Sequence, residues 1–331
     1  MFKNNIKAIV LFSGGLDSIL AIKVLQEQGI EVLALTFESN FFNAKKAREN
    51  VGQLGVKLKV VDVKDGMIEI TKNPSFGYGK NMNPCIDCHA NMIKIAGQIA
   101  EEKGYDFVAT GEVLGQRPMS QNREALRQVA KLAGVPVLRP LSAKLLEETE
   151  IEKEGLVNRE KLLDIHGRSR EKQEELIRRY KIKKYPSPAG GCLLTDPSFA
   201  DRLREMYKYW PDCKTQDIEL LKYGRIFWFN NILVVIGRKK DDNEMLAKLA
   251  QKGDFMVELK EETGPLVLVR GLKSSKLFND VLTVKVPTEL NICGKIENNE
   301  ILQKVAIMTG YYRPALRNKE VKIKINKINT E

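Results

Sequence analysis

The chain opens on an apolar run, Ala8 to Phe12, of the length and composition of a strand buried in a parallel sheet. Ser13-Gly14-Gly15-Leu16-Asp17-Ser18 follows. An amphipathic segment with Ile19, Leu20, Ile22, Val24 and Leu25 then predicts a helix. The alternation continues with a strand over Glu31 to Thr36, a helix over Phe42 to Leu54 and a strand over Val56 to Asp62. A Cys/His segment, 83–89, leads into a helix from about Ala90 to Lys103. Beyond it lie a strand at Phe107 to Thr110, a helix at Arg123 to Ala133 and a short strand at Val135 to Leu141. This order predicts an α/β fold with a doubly wound parallel sheet, in which ligands bind at the carboxyl ends of the strands. The Ser-Gly-Gly loop, Thr36-Phe37 and Thr110-Gly111-Glu112 all fall at such ends and should face one crevice.

The pattern then changes. Residues 143–184 read as a charged helical linker whose charges pair along the helix. Tyr185-Pro-Ser-Pro-Ala-Gly-Gly-Cys192 cannot be helix and reads as a loop ending in a cysteine. From about 215 a second, smaller α+β domain is expected. It has a hairpin around Asn230-Asn231, a helix over Asp242 to Lys252 and strands at Phe255 to Leu259 and Leu266 to Arg270. The tail after Glu320 alternates Val/Ile with Lys and reads as an edge strand protected by its lysines. The domains predicted are 1–142 (nucleotide binding), 143–214 (linker and Cys192 loop) and 215–331.

The bulk numbers narrow the classes. In 331 residues, 43% are hydrophobic and 29% charged, as in an ordinary globular protein of two domains. No apolar run approaches the roughly 20 residues of a membrane span, and the start of the chain lacks a signal-peptide pattern, so a cytoplasmic protein with no membrane partner is expected. Lys and Arg outnumber Asp and Glu by 54 to 43, a net charge of +11 that favours a polyanionic partner. In a reducing compartment the five cysteines point to metal, redox or catalytic chemistry rather than disulfides.

Two sites stand out. The loop glycines let backbone approach a ligand, the new helix offers free N–H groups, and Ser13 and Ser18 add hydroxyls, which together make a phosphate cradle. It lacks both Gly-Lys-Ser/Thr and GxGxxG, so it is neither a P-loop kinase loop nor a dinucleotide loop. Cys85-Ile-Asp87-Cys88-His89 is the second site. A helix dipole behind the pair should lower the thiol pKa values. With Cys192 as a third thiolate, the set suits a 4Fe–4S cluster with one open iron; a Cys-x-x-Cys pair alone could also ligate another metal, form a redox disulfide or carry a persulfide. Cys213 and Cys293 read as small buried side chains.

Ser-Gly-Gly-Leu-Asp-Ser resembles the signature of the PP-loop ATP pyrophosphatases. Together with Asn83-Pro84, Cys88, Phe107-Val-Ala-Thr110-Gly111 and Gly191-Cys192, it resembles the tRNA 2-thiouridine synthases over roughly residues 5–200. That resemblance implies an adenine nucleotide α-hydrolase-like fold and a tRNA uridine thiolase that uses ATP and Mg²⁺. It implies that Ser13, Gly14, Gly15, Asp17 and Ser18 hold pyrophosphate, that Gly111 lies beside the nucleotide, and that Cys88 and Cys192 carry the thiolation; Thr36 and Phe37, at their strand end, are expected to bind the nucleotide as well. Cys85 stands where that family has an aspartate, and Glu112 where it has a histidine. A CxxC with a distant cysteine is instead similar to the iron–sulfur-dependent tRNA thiolases, which implies Cys85, Cys88 and Cys192 as metal ligands and catalytic residues. Those enzymes' flanking zinc-binding cysteine pairs are missing here. The expected partners are tRNA and a sulfur donor, sulfide or a persulfide carrier, with a homodimer left open. Residues 232–265 resemble the RNA-associated NFACT-R domain. The alternatives are a PP-loop adenylating enzyme acting on a non-RNA substrate and an RNA-binding protein with a non-catalytic nucleotide fold.

Overall fold

A computed structural model describes residues 5–187, 191–273, 279–291 and 297–329. The chain divides into two compact units, Met1–Ala200 and Asp201–Glu331.

The first unit is built on a five-stranded parallel sheet in the order β3-β2-β1-β4-β5. Its elements are β1 (Lys7–Leu11), α1 (Leu16–Gln26), β2 (Glu31–Glu38), α2 (Lys45–Val51), β3 (Lys57–Asp62), α3 (Lys64–Lys72), α4 (Cys85–Lys103), β4 (Phe107–Thr110), α5 (Arg123–Ala133) and β5 (Val137–Leu138). The chain winds from β1 outward to β3 and crosses back to β4, so the direction of winding reverses between β1 and β4. That reversal is where a doubly wound sheet opens a crevice. β1 pairs with β2 on one side and β4 on the other, Leu11 lying opposite Leu35 and Thr110. The predicted apolar face of α1 is buried throughout: Ile19, Leu20, Ile22 and Leu25 are fully covered.

Three predictions are corrected in this unit. α4 starts at Cys85 rather than near Ala90, so the CxxC occupies the helix's first turn instead of a preceding loop. α3, between β3 and α4, has too few apolar positions to announce itself, yet Met67, Ile68 and Thr71 are buried. Residues 143–182 are not a solvated linker. They hold two short α-helices, α6 (Glu150–Lys153) and α7 (Glu171–Arg179), and two 3₁₀ turns, Ala143–Leu145 and Arg159–Lys161. Their sparse apolar residues Ile151, Val157, Leu162, Ile165, Leu176 and Ile182 join the core that packs around α1. Burial of those side chains draws the segment into the first unit, so the expected divisions at 142 and 214 give way to one at Ala200. α8 (Pro197–Tyr209) straddles that division.

The second unit has α9 (Thr215–Leu220), β6 (Arg225–Phe229), β7 (Ile232–Ile236), α10 (Lys240–Leu249), β8 (Phe255–Leu259), β9 (Val267–Arg270), β10 (Asn279–Lys285), α11 (Ile301–Tyr311) and β11 (Glu320–Lys327). Its six strands form one antiparallel sheet in the order β10-β11-β8-β9-β7-β6. The β6–β7 hairpin turns at Asn230-Asn231, with Asn230 at φ 53°, a left-handed conformation that asparagine tolerates. β11 is an interior strand, paired with β10 and β8, not the expected edge. Its outward lysines are matched instead: Lys322 pairs with Glu261 at 2.9 Å and Lys324 with Glu258 at 3.6 Å. Cys293 lies outside the described residues. No helix among the described residues is long and apolar enough to cross a membrane.

Candidate active site

The loop after β1 is shaped by its two glycines. Gly14 has φ +76°, and a Cβ there would stand 2.4 Å from the backbone of Lys46, so glycine is required twice over. Asn50 Nδ2 donates to the Gly14 carbonyl at 3.2 Å and ties the loop to α2. Gly15 caps α1 without any side-chain hydrogen bond, which leaves the first N–H groups of the helix without a side-chain cap and free to face a ligand. Ser18 Oγ donates to the Gly15 carbonyl at 2.8 Å and lies 3.4 Å from Ser13 Oγ. Asp17 is half-buried and accepts from Gln116 Nε2 at 3.0 Å. Thr36 and Phe37 lie within β2, and both are buried.

Gly111 follows β4. A Cβ on it would meet the backbone nitrogen of Ser18 at 2.6 Å. Glycine here lets the strand end press against the first turn of α1, beside the cradle. The next residue, Glu112, is 7% exposed and points the other way into a network that the sequence does not announce. It accepts from Arg139 Nε at 3.0 Å, Thr110 Oγ1 at 3.1 Å and His89 Nδ1 at 2.8 Å. Burial pushes its carboxyl up, but the Arg139 charge and the His89 hydrogen bond override that and hold it at about 2. Glu112 is therefore ionised, and His89 Nδ1–H is the donor.

His89 sits in α4 one residue after Cys88. Cys85 lies in the first turn of that helix, where its thiol donates to Asn83 Oδ1 at 3.1 Å. The distant Cys192 is brought to this turn by backbone pairing. Leu193 N–H donates to the Phe41 carbonyl at 2.9 Å, Met82 N–H to the Leu194 carbonyl at 3.2 Å, and Asn81 Nδ2 to the Thr195 carbonyl at 2.7 Å. The three thiols lie near enough to disfavour one another's ionisation. The expected lowering of their pKa values is overturned. Burial dominates and raises all three, Cys192 to about 11, with the Arg117 charge drawing Cys85 and Cys192 only partly back. The helix dipole does not offset the loss of water. Asp87, inside the CxxC, serves structure: it accepts from the backbone N–H groups of Ser75 and Phe76 at 2.8 and 3.2 Å. Cys213 is buried in the second unit.

One segment thus touches both sites. Gly111 abuts the cradle and Glu112 holds His89. Gln116 holds Asp17, Arg117 lies near Cys85 and Cys192, and Ser120 hydrogen-bonds Cys85. In the sequence Glu112 is marked only as part of a strand-end triplet, Gln116 and Arg117 only by following that strand end, and Arg139 carries no signal.

A parallel sheet with an uncapped Ser-Gly-Gly-x-Asp-Ser helix start at its winding reversal defines the first unit as a PP-loop nucleotide-binding domain. The chain matches the family described as "Thiamine biosynthesis protein (ThiI)" over residues 4–175, just over half its length, and belongs to that family. Curated relatives are named probable tRNA sulfurtransferases. The one from Thermoanaerobacter sp. (strain X514) is 35% identical over 158 residues, 44% of this chain and 39% of the relative. That of Thermococcus kodakarensis is 31% identical over 140 residues, 41% and 36% respectively. The matched part is therefore under two fifths of these relatives' length. A solved 4-thiouridine synthetase–RNA complex with bound ATP is 24% identical, covering 65% of this chain and 52% of that one, with a TM-score of 0.36.

Proposed function

We propose that the protein is an ATP-dependent tRNA uridine sulfurtransferase. The observation that carries this reading is the 111–121 segment, which ties the phosphate cradle to the three-cysteine pocket within one unit. The names of the curated relatives support the same activity.

The cradle binds the β- and γ-phosphates of ATP through the first N–H groups of α1 and the hydroxyls of Ser13 and Ser18. Asp17, half-buried at the cradle, would hold a Mg²⁺ ion, which would neutralise phosphate charge there. A uridine is drawn out of its stack into the crevice. Its carbonyl oxygen attacks the α-phosphorus, and the bond to the β-phosphate oxygen breaks to release pyrophosphate. The oxygen, now adenylated, is a good leaving group. Sulfur adds to the activated ring carbon and AMP departs with that oxygen. Gln116 keeps Asp17 oriented, and Glu112 keeps His89 and the start of α4 in place.

Cys85, Cys88 and Cys192 form the sulfur pocket. Three neighbouring thiols suit three-point attachment of a 4Fe–4S cluster. No group of His, Cys, Asp or Glu among the described residues is close enough to hold a single metal ion. Ligands to a cubane cluster bind different irons and stand farther apart than ligands to one ion. When bound, such a cluster supplies an open iron for sulfide. Burial raises the pKa of all three thiols, so a cationic partner would favour their ionisation. A cytoplasmic setting belongs to the same proposal, because the thiols must stay reduced. Thionucleoside analysis of tRNA from cells lacking the protein tests the substrate: one thiouridine should disappear, and an unchanged profile overturns the reading.

A further inference from the structure

We infer that the second unit carries a docking strip for single-stranded RNA, made of Arg225, Phe227, Tyr311, Tyr312 and Arg317. This deepens the proposed function and rests on it for the choice of RNA.

The strip is continuous. The guanidinium of Arg225 lies over the Tyr312 ring at 4.6 Å from its centroid, and Phe227 packs on the same ring at 6.1 Å. Tyr312 meets Tyr311 edge-on at 5.5 Å, and Arg317 covers Tyr311 at 4.3 Å. Arg225 and Phe227, two apart on β6, point to one face of the sheet. Among the described residues β6 is the last strand of its sheet, and no strand pairs with its outer side.

The charges distinguish these two arginines from their neighbours. Arg204, Arg238, Arg270 and Arg313 of the same unit each have a carboxylate within 4 Å. Among the described residues, none stands within that distance of Arg225 or Arg317. A guanidinium stacked on a tyrosine keeps its outer plane for a base and its N–H edge for a phosphate. Phe227 and Tyr312 are partly buried against the core of the unit, and Tyr312 holds Arg225 in place. Bases of an unstacked polynucleotide thus take the outer guanidinium planes, and phosphates take the charge. An acidic polypeptide would meet the charge and leave the planes unused.

The test uses the full chain, with fluorescence anisotropy on a uridine-rich single-stranded oligoribonucleotide and polyglutamate as competitor. The R225Q/R317Q double variant should bind about tenfold more weakly, with a salt dependence shallower by about two phosphate contacts. The R225K/R317K variant should keep the salt dependence yet bind a few-fold more weakly, because an ammonium does not stack. It retains the charge and carries the test if the glutamine variant misfolds, which a melting curve reveals. Unchanged affinity in the glutamine variant overturns the strip. So does a lysine variant equal to wild type, or displacement of the RNA by polyglutamate of equal charge. Thiolation is measured separately. If wild type makes no thiouridine while the glutamine variant still loses RNA binding, the function fails and the strip stands. If wild type thiolates and both variants bind as it does, the strip fails and the function stands.

Discussion

Each unit buries an arginine against carboxylate, and the two networks differ in what they leave open. In the second unit Arg270 is 6% exposed and its donors are absorbed internally. Nε and Nη2 go to Asp254, Nη1 to Asp217 at 2.9 Å, and Nη2 also to the Leu249 carbonyl at 2.7 Å. This network joins α9, α10 and β9 and ends there. In the first unit, Arg139 and Glu112 are just as buried, but Glu112 passes its third hydrogen bond to His89, whose side chain is 27% exposed, next to Cys88. A closed buried ion pair serves cohesion. One that reaches a half-exposed histidine beside the cysteine turn of α4 has a group left over for chemistry.

The largest expected effect falls on the closed network. Asp254→Ala leaves a buried guanidinium largely uncompensated and should cost about 3–5 kcal/mol. Calorimetry should show the loss in the second unit's transition. AMP formation per folded molecule should stay at the wild-type level if the network is only structural, and a drop in it breaks the contrast.

Glu112→Gln should cost slightly less, about 2–4 kcal/mol, because the amide still accepts from Arg139. Unlike Asp254→Ala, it should also lower thiolation by the folded fraction. Its pH signature is specific. The Glu112 carboxyl titrates at about 2 in the folded protein against an ordinary 4.5, so its contribution is complete above pH 4.5 and is lost as pH falls toward about 2. Melting temperatures between those values should fall less steeply in Glu112→Gln than in wild type. Identical slopes would remove Glu112 from the acid response.

The cysteine pocket sharpens the contrast next. Under anaerobic preparation, Cys85→Ala, Cys88→Ala and Cys192→Ala should each lose iron and thiolation together, while Cys213→Ala retains both. If Cys85→Ala stays active while the other two fail, two thiols suffice and sulfur travels as a persulfide on Cys192. The smallest change in stability, within about 0.5 kcal/mol, is expected for half-buried Asp17→Ala, although AMP and pyrophosphate formation should vanish. A large loss of stability there would recast Asp17 as structural.

The sequence made legible whatever depends on local pattern. The apolar runs of β1, β2 and β4 and the strong amphipathicity behind α5 place those elements within a residue or two. The turn after β1 was readable because Gly14, at φ +76°, answers a local backbone need that glycine meets. What depended on distant partners was hidden. The start of α4 was masked by Pro84 and the polar CxxC, and residues 143–182 by charges that outnumber their core contacts. β11 looked like an edge because nothing in its own residues reveals Glu258 and Glu261 across the sheet. Cys192 was placed with Cys85 and Cys88 by resemblance and thiol chemistry; the pairing of 193–195 with Phe41, Asn81 and Met82 that brings it there is tertiary. The thiol pKa values were misjudged for the same reason. The helix dipole is visible in sequence, and the burial that overrides it is not.

The most direct test of the central claim is a single-turnover assay of the anaerobically purified protein with α-labelled ATP, sulfide and tRNA lacking thiouridine. AMP, pyrophosphate and thiouridine are quantified together. The account predicts that they form in equal amounts, only when tRNA is present, and that none forms with Asp17→Ala. AMP formation that proceeds equally without tRNA, or tRNA-dependent ATP cleavage by the iron-loaded protein that yields no thiouridine, would contradict it.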